Sequence, residues 1–322
     1  MTFLCSLMTM RQLTPWCFKS VVLALLVLQL ACQKQVSPPT RAPTFNQDHA
    51  YSLLKDLCNL GPRNHGSETK LKAEKWIQDK LRDAGAEVSV HEFNYTGKNW
   101  AGPESFRNIV GRFRTADQRR VLIGTHYDTR SWADRDPRRE LRSTPIVGAN
   151  DGASGVAVML EMARAWKERP PPVGVDLFFF DGEDFGKEGE FQDYLVGSKV
   201  WVKDHPEYKA EWGVVLDMVG DSSLRVLKEK SSAARACRAV RRIWDAAERV
   251  GSSAFVDEFS GSLYDDQSAF IARGIPVALI IDFDYPWFHT MEDLPDKCSA
   301  ESLGQVGRAV MEAIDADAPA SK

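Results

Sequence analysis

Val175-Asp176-Leu177-Phe178-Phe179-Phe180-Asp181-Gly182-Glu183-Asp184 is apolar and β-prone as far as Phe180, then breaks into an acidic turn. A near-continuous apolar run bounded by turn residues reads as a strand buried on both faces, the kind found in a parallel sheet. Its acidic end gathers carboxylates at one sheet edge, where they repel one another unless a cation or a proton neutralises them. Glu183 and Asp184 therefore point to a metal site. Taken alone, the turn reads equally well as a solvated acidic loop.

Other apolar segments end the same way. Arg120 to Ile123 leads to His126-Tyr127-Asp128, an imidazole with a carboxylate that can orient it. Trp212 to Leu216 leads to Asp217, and Ile275 to Ile281 leads through Trp287-Phe288 to His289. Ile146 to Gly155 carries Asp151 at the start of a helix-like segment, where an N-cap is the bland reading. The glycines of that segment lack the Gly-Lys-Ser/Thr ending of a phosphate cradle. In open α/β sheets, sites gather beyond the carboxyl ends of the strands, so these residues can meet. Imidazole and carboxylate together suit zinc, and five candidates can hold one ion, or two that share a carboxylate.

Strands alternating with longer helical stretches predict an α/β fold, a three-layer α/β/α sandwich with a mixed, centrally parallel sheet. Helices are expected at 47–60, 68–84, 231–250 and 300–314, and early strands at 87–95 and 106–113. The charged run from Arg130 to Glu140 reads as solvated surface, or as a lid.

At these residues the chain resembles the M28 metallopeptidase clan, and within it the animal-type, zinc-dependent glutaminyl cyclases, over roughly Gln47 to Ile314. Looser signals of the same kind are Gly61-Pro62-Arg63, Ser105 to Val110 and Gln192 to Lys199. The resemblance implies a fold of the zinc aminopeptidase/glutaminyl cyclase type. It implies Asp151, Asp184 and His289 as zinc ligands, and Glu183 as general acid/base with Asp217 and Asp265 as further catalytic groups. His126 and Asp217 would hold a second metal in the clan's dinuclear aminopeptidases, whereas the cyclases bind a single zinc. Asp265-Asp266 matches the paired acids of the cyclases. Where the cyclases use Glu as the second carboxylate ligand, this chain has Asp184. Gln267 replaces the usual His, and Phe288 replaces the Trp before the ligand His, so that Trp287 is expected to supply the indole and to form the substrate pocket with Phe288.

The implied activity is glutaminyl-peptide cyclotransferase, which closes N-terminal glutamine to pyroglutamate with release of ammonia. Its alternatives are a dinuclear zinc aminopeptidase and, from another class, a non-catalytic M28-like ectodomain that binds partners. Peptide or protein N-termini are the expected substrates, and a monomer is expected.

No Gly-x-Ser-x-Gly elbow is present, so a serine hydrolase lacks its nucleophile. A net charge of −4 and a pI near 5.9 argue against nucleic acid as partner. Val21 to Ala31 is a short apolar run behind Arg11 and Lys19, as in a secretory signal, and too short for a confident membrane span. Leu30-Ala31-Cys32 resembles a bacterial lipobox, so residues 1–31 read as a signal peptide and Cys32 as a lipidation site. The Pro- and Ser-rich stretch 32–46 reads as a flexible tether ahead of one catalytic domain at 47–318. An exported lipoprotein of a bacterial envelope, periplasmic or on the surface and touching the membrane only through its lipid, is the expectation. Of six cysteines, Cys58, Cys237 and Cys298 remain in the domain, an odd number that implies no complete disulfide framework.

Overall fold

In the computed structural model, which describes residues 45–98 and 100–318, the strands are β1 (Glu87–Tyr95), β2 (Glu104–Phe113), β3 (Arg120–His126), β4 (Gly174–Phe180), β5 (Trp212–Asp217), β6 (Val226–Lys228), β7 (Phe255–Phe259) and β8 (Val277–Ile281). The helices are α1 (Gln47–Asn59), α2 (Glu68–Asp83), α3 (Ala153–Glu168), α4 (Val196–Asp204), α5 (Lys230–Arg235), α6 (Cys237–Arg249), α7 (Gln267–Ala272) and α8 (Ala300–Asp315). Six strands form one sheet in the order β1-β2-β4-β3-β5-β8. β1, β2 and β4 pair antiparallel, while β4, β3, β5 and β8 run parallel, so the centre is parallel and one flank is not.

Period-two alternation along the central strands divides the core into two layers. Val175, Leu177 and Phe179 of β4 join Val121, Ile123, Val214, Leu216, Ala278 and Ile280 on one face, under α1, α3, α6 and α8. Phe178 and Phe180 join Leu122, Val215, Val277 and Leu279 on the other, with Trp201 of α4 and Phe270 of α7. Every β4 residue is buried, as the apolar run required. Asp176 is the one charge inside that strand, and the guanidinium of Arg120 and the Tyr208 hydroxyl satisfy it.

Three boundaries differ from the sequence reading. The expected helix over 231–250 breaks at Ala236, whose φ of −126° leaves the helical range; the Glu229 carboxylate caps α5 by accepting from the amides of Ser231 and Ser232. β6 and β7 form a small parallel sheet that no apolar periodicity announced. Phe45 and Asn46, placed in the tether, belong to the fold: Phe45 is buried against the core and Asn46 caps α1 by accepting from the His49 amide. The signal segment, the rest of the tether through Thr44 and the Cys32 lipidation site lie outside the described residues. Among those residues no helix is long and apolar enough to cross a membrane.

Candidate metal centre

β3, β4, β5 and β8 all point their carboxyl ends to the same edge, and each hands its following turn to one cavity of about 310 Å³. Asp151, Glu183, Asp184, Asp217, Asp265, Phe288 and His289 line it. Asp151, Asp184 and His289 bring ligand atoms within 4.8 Å of one another, and so do His126, Asp151 and Asp217, and His126, Glu183 and Asp184, so that Asp151, Asp184 and His126 each belong to two of the three triads. His289 Nε2 lies 3.4 Å from Asp184 Oδ1 and 3.7 Å from Asp151 Oδ2. His126 Nε2 lies 3.2 Å from both Asp151 Oδ1 and Asp217 Oδ1.

Local backbone explains this convergence. Asp151 does not cap α3; that position falls to Gly152 at φ +95°, where a Cβ would come within 2.8 Å of the Asp128 carbonyl. The Asp151 carboxylate is thereby free to face the cavity. Its backbone is fixed from behind by Asp293, which accepts from the amides of Asn150 and Asp151 and from the Tyr285 hydroxyl. Asp128 spends its two oxygens on the Glu183 and Asp184 amides at 3.2 Å each. Met218, next to Asp217, and His289 itself hold positive φ values of 46° and 57°, rare for residues with side chains and typical of functional sites.

The looser sequence signals are supports for this turn. Arg63, fully buried, donates to the carbonyls of Tyr127, Val147 and Gly148, tying the His126 and Asp151 loops together. Asn108 accepts from the Asp181 amide and donates to the Gly197 carbonyl, bracing the acidic turn. Nothing in the isolated sequence shows Asp293 to be a brace. The run from Arg130 to Glu140 is solvated surface only in part: Arg135 and Arg138 to Glu140 are exposed, whereas Arg130 and Asp136 are fully buried, and Asp136 accepts from the Met291 amide beside His289.

Electrostatics follow from packing acids together. Burial first and Asp184 second push the Glu183 carboxyl well above its ordinary range, with Asp265 and Asp266 adding to the effect. Burial and then Asp217 do the same for Asp265. Burial and Asp184 lift Asp151 to about 7. Burial disfavours a charged His289, but Asp184 and Asp134 outweigh it and carry the imidazole up to about 9. Burial likewise opposes the charge on Asp184, yet His289 and Arg130 hold that carboxylate well below its usual range.

The residues fit zinc. Asp151 Oδ2 and Asp184 Oδ2 are buried without a hydrogen-bond partner, a costly state that a cation relieves. Two carboxylates and an imidazole are a donor set that zinc takes readily.

The pocket differs from expectation in one wall. Phe288 lines it together with Met218, Leu263, Tyr264, Ile281 and Phe283. Trp287 does not; it is 38% exposed and lies 5.1 Å from the Lys297 ammonium, outside the cavity lining. The expected indole is therefore missing from the wall, because the tight turn after Tyr285 directs Phe288, not Trp287, inward.

Residues 108–314 match the model of peptidase family M28. A glutaminyl-peptide cyclotransferase-like protein of Bos taurus is 27% identical over 259 residues, 72% of this chain, and the match spans 66% of the cattle protein's length. The crystal structure of Tannerella forsythia glutaminyl cyclase superposes with a TM-score of 0.81 at 35% identity, covering 85% of this chain and 99% of that one. A leucine aminopeptidase precursor from Bacteroides thetaiotaomicron does so with a TM-score of 0.82 at 31% identity, covering 85% and 98%.

Proposed function

We propose, as the chain belongs to peptidase family M28, that its reaction within that family is the cyclisation of N-terminal glutamine on peptides to pyroglutamate. One observation carries this choice: Asp265 is a buried carboxyl on the cavity wall, its pKa pushed well above the usual carboxylate range by burial and Asp217, and it stands close enough to raise Glu183. Three carboxyls around one cavity are more than water activation needs. They suit a reaction that must hold an amine, take its proton and hand that proton to departing ammonia.

Asp151, Asp184 and His289 would hold the zinc ion, which would supply a Lewis acid for the γ-carbonyl of the substrate. The substrate's α-amine is tethered to that carbonyl, so ring closure needs no external nucleophile. Glu183 takes the proton as the C–N bond forms and returns it to the amide nitrogen as ammonia leaves; its raised pKa lets one group perform both transfers. Asp217 and Asp265 accept hydrogen bonds from the amine and hold it against Glu183. Phe288, Leu263 and Ile281 exclude water from the glutamine side chain.

The second reading, a dinuclear aminopeptidase, is favoured by the His126–Asp151–Asp217 triad, whose ligand atoms are as close as those of the first. Incubation of the zinc-loaded domain with Gln-Ala-Phe, followed by mass spectrometry, separates the two. Loss of ammonia alone is the expected product pattern; release of free glutamine makes the protein an aminopeptidase, and an intact peptide in zinc-replete protein refutes both.

A further inference from the structure

Arg130 follows β3 and is fully buried, so its five N–H donors must be matched within the protein. Its Nε lies 3.1 and 3.0 Å from the two oxygens of Asp134, and Nη2 also donates to Asp134. Its Nη1 donates to Asp184 Oδ1 at 3.3 Å and to the Gly186 carbonyl at 3.0 Å. Asp134 Oδ1 in turn lies 3.2 Å from His289 Nδ1, and His289 Nε2 lies 3.4 Å from Asp184 Oδ1. The four side chains close a ring of alternating charge.

We propose that the Arg130–Asp134 pair is a positioning clamp that joins Asp184 and His289 into one unit and so sets the protein's affinity for zinc. The proposal rests on the assignment of Asp151, Asp184 and His289 as the ligands. Two consequences of the ring support it. Asp134 takes the Nδ1–H of His289, so that Nε2, on the cavity side, is the nitrogen that gives up its proton when the imidazole binds a metal. Arg130 engages Oδ1 of Asp184 and leaves Oδ2 buried and without a partner, so this aspartate offers one oxygen, in one orientation, to the metal. A side chain with a short reach gains from such fixing, since fewer rotamers remain to be lost on binding. The planar fork of a guanidinium does what an ammonium cannot, because it bonds two carboxylates at fixed angles.

If the pair merely fastens its loop, its loss lowers stability and leaves the metal alone. The dissociation constant for zinc, by chelator competition, and the Tm of the metal-free protein are measured for wild type, Arg130→Gln, Asp134→Asn, Asp134→Ala, the Arg130→Gln/Asp134→Asn double variant and His289→Ala. Each clamp variant is expected to bind zinc about 10- to 100-fold more weakly. The double variant should be little worse than the weaker single, because both break one unit. Asp134→Asn should lose less than Asp134→Ala, as the carboxamide oxygen still accepts from Nδ1. The cobalt-substituted forms should show shifted visible absorption bands. Zinc dissociation constants within about two-fold of wild type and an unshifted cobalt spectrum in folded Asp134→Asn overturn the clamp, as do fully multiplicative losses. Asp134→Asn is nearly isosteric and carries the test should Arg130→Gln fail to fold. If wild type binds no stoichiometric zinc, or His289→Ala binds as tightly, the ligand assignment fails and the clamp with it. If His289→Ala loses zinc while the clamp variants keep it, the clamp alone fails.

Discussion

Asp151 stands between two imidazoles that look equivalent in the sequence and differ in their surroundings. His126 Nε2 is already engaged by Asp151 and Asp217 at 3.2 Å, and although burial opposes its charge, the neighbouring carboxylates of Asp128, Asp151 and Asp217 raise its pKa well above the ordinary imidazole value. His289 sits farther from its carboxylates, at 3.4 and 3.7 Å, with an unpartnered oxygen on each of them. Both imidazoles are thus raised by their carboxylate neighbours, and what distinguishes the two sides is that the carboxylate oxygens left without a hydrogen-bond partner lie on the His289 side. This asymmetry places the metal of the single-zinc reading on the His289 side, where a cation would satisfy Asp151 Oδ2 and Asp184 Oδ2.

The sharpest way to break the comparison is to delete each imidazole in turn. His289→Ala is expected to remove stoichiometric zinc and to lower turnover by about a thousand-fold or more, the scale of a lost Lewis acid. His126→Ala should leave metal content at one ion per chain. A fall from two ions to one in His126→Ala, measured by plasma mass spectrometry, would instead make the two sides equal.

Glu183→Gln removes the proton shuttle and keeps the shape of the cavity, so kcat should fall by about 10²- to 10⁴-fold with zinc content unchanged. Retained activity would move the shuttle to Asp265 or Asp217.

Proton release on metal binding tests the same asymmetry by pH. His289, raised to about 9, carries a proton in metal-free protein at neutral pH and must lose it to bind. Affinity therefore rises with pH, by about ten-fold per unit between 7 and 9, and more steeply below 7, where Asp151 is also protonated. Above 9 the gain should level off. Calorimetry in buffers of different ionisation enthalpy counts the protons; a flat profile between 7 and 9 would contradict a protonated His289.

Asp265→Asn exchanges a carboxyl whose pKa burial and Asp217 push up for an amide of the same shape, so a loss of about ten-fold in kcat/KM is expected, the weight of one hydrogen bond to the substrate amine. An aminopeptidase relying on water activation would be less affected.

Much of this site was readable because its ligands follow strands whose apolar runs are unmistakable. Val175 to Phe180 could only be a strand buried on both faces, and the geometry of a parallel sheet then brings Glu183, His126, Asp217 and His289 to one edge. What the sequence hid were residues that act through tertiary contacts. Asp293, Asn108 and Arg63 carry no periodicity, and their roles exist only where loops distant in sequence meet. Within Arg130 to Glu140, Arg130 and Asp136 departed from the solvated reading because charge density predicts solvation only when the charges lack buried partners. Arg130 and Asp136 have such partners, in Asp184 and in the amide of Met291.

Trp287 and Phe288 give the smallest contrast and the most direct check on the pocket wall. Both are aromatic and adjacent, and composition cannot rank them. Phe288 lines the cavity and stacks beside His289 at 3.7 Å between ring centres, so truncation to Ala exposes the glutamine side chain to water and loosens the ligand. Burial of a ring face is worth about 1 to 2 kcal/mol, which predicts a rise of roughly ten-fold in KM for Phe288→Ala. Trp287 lies over Lys297 outside the lining, and Trp287→Ala should change KM by less than about two-fold. If the two effects came out reversed in steady-state assays, the turn after Tyr285 would have to present the indole to substrate, and the aromatic wall would need to be redrawn around Trp287.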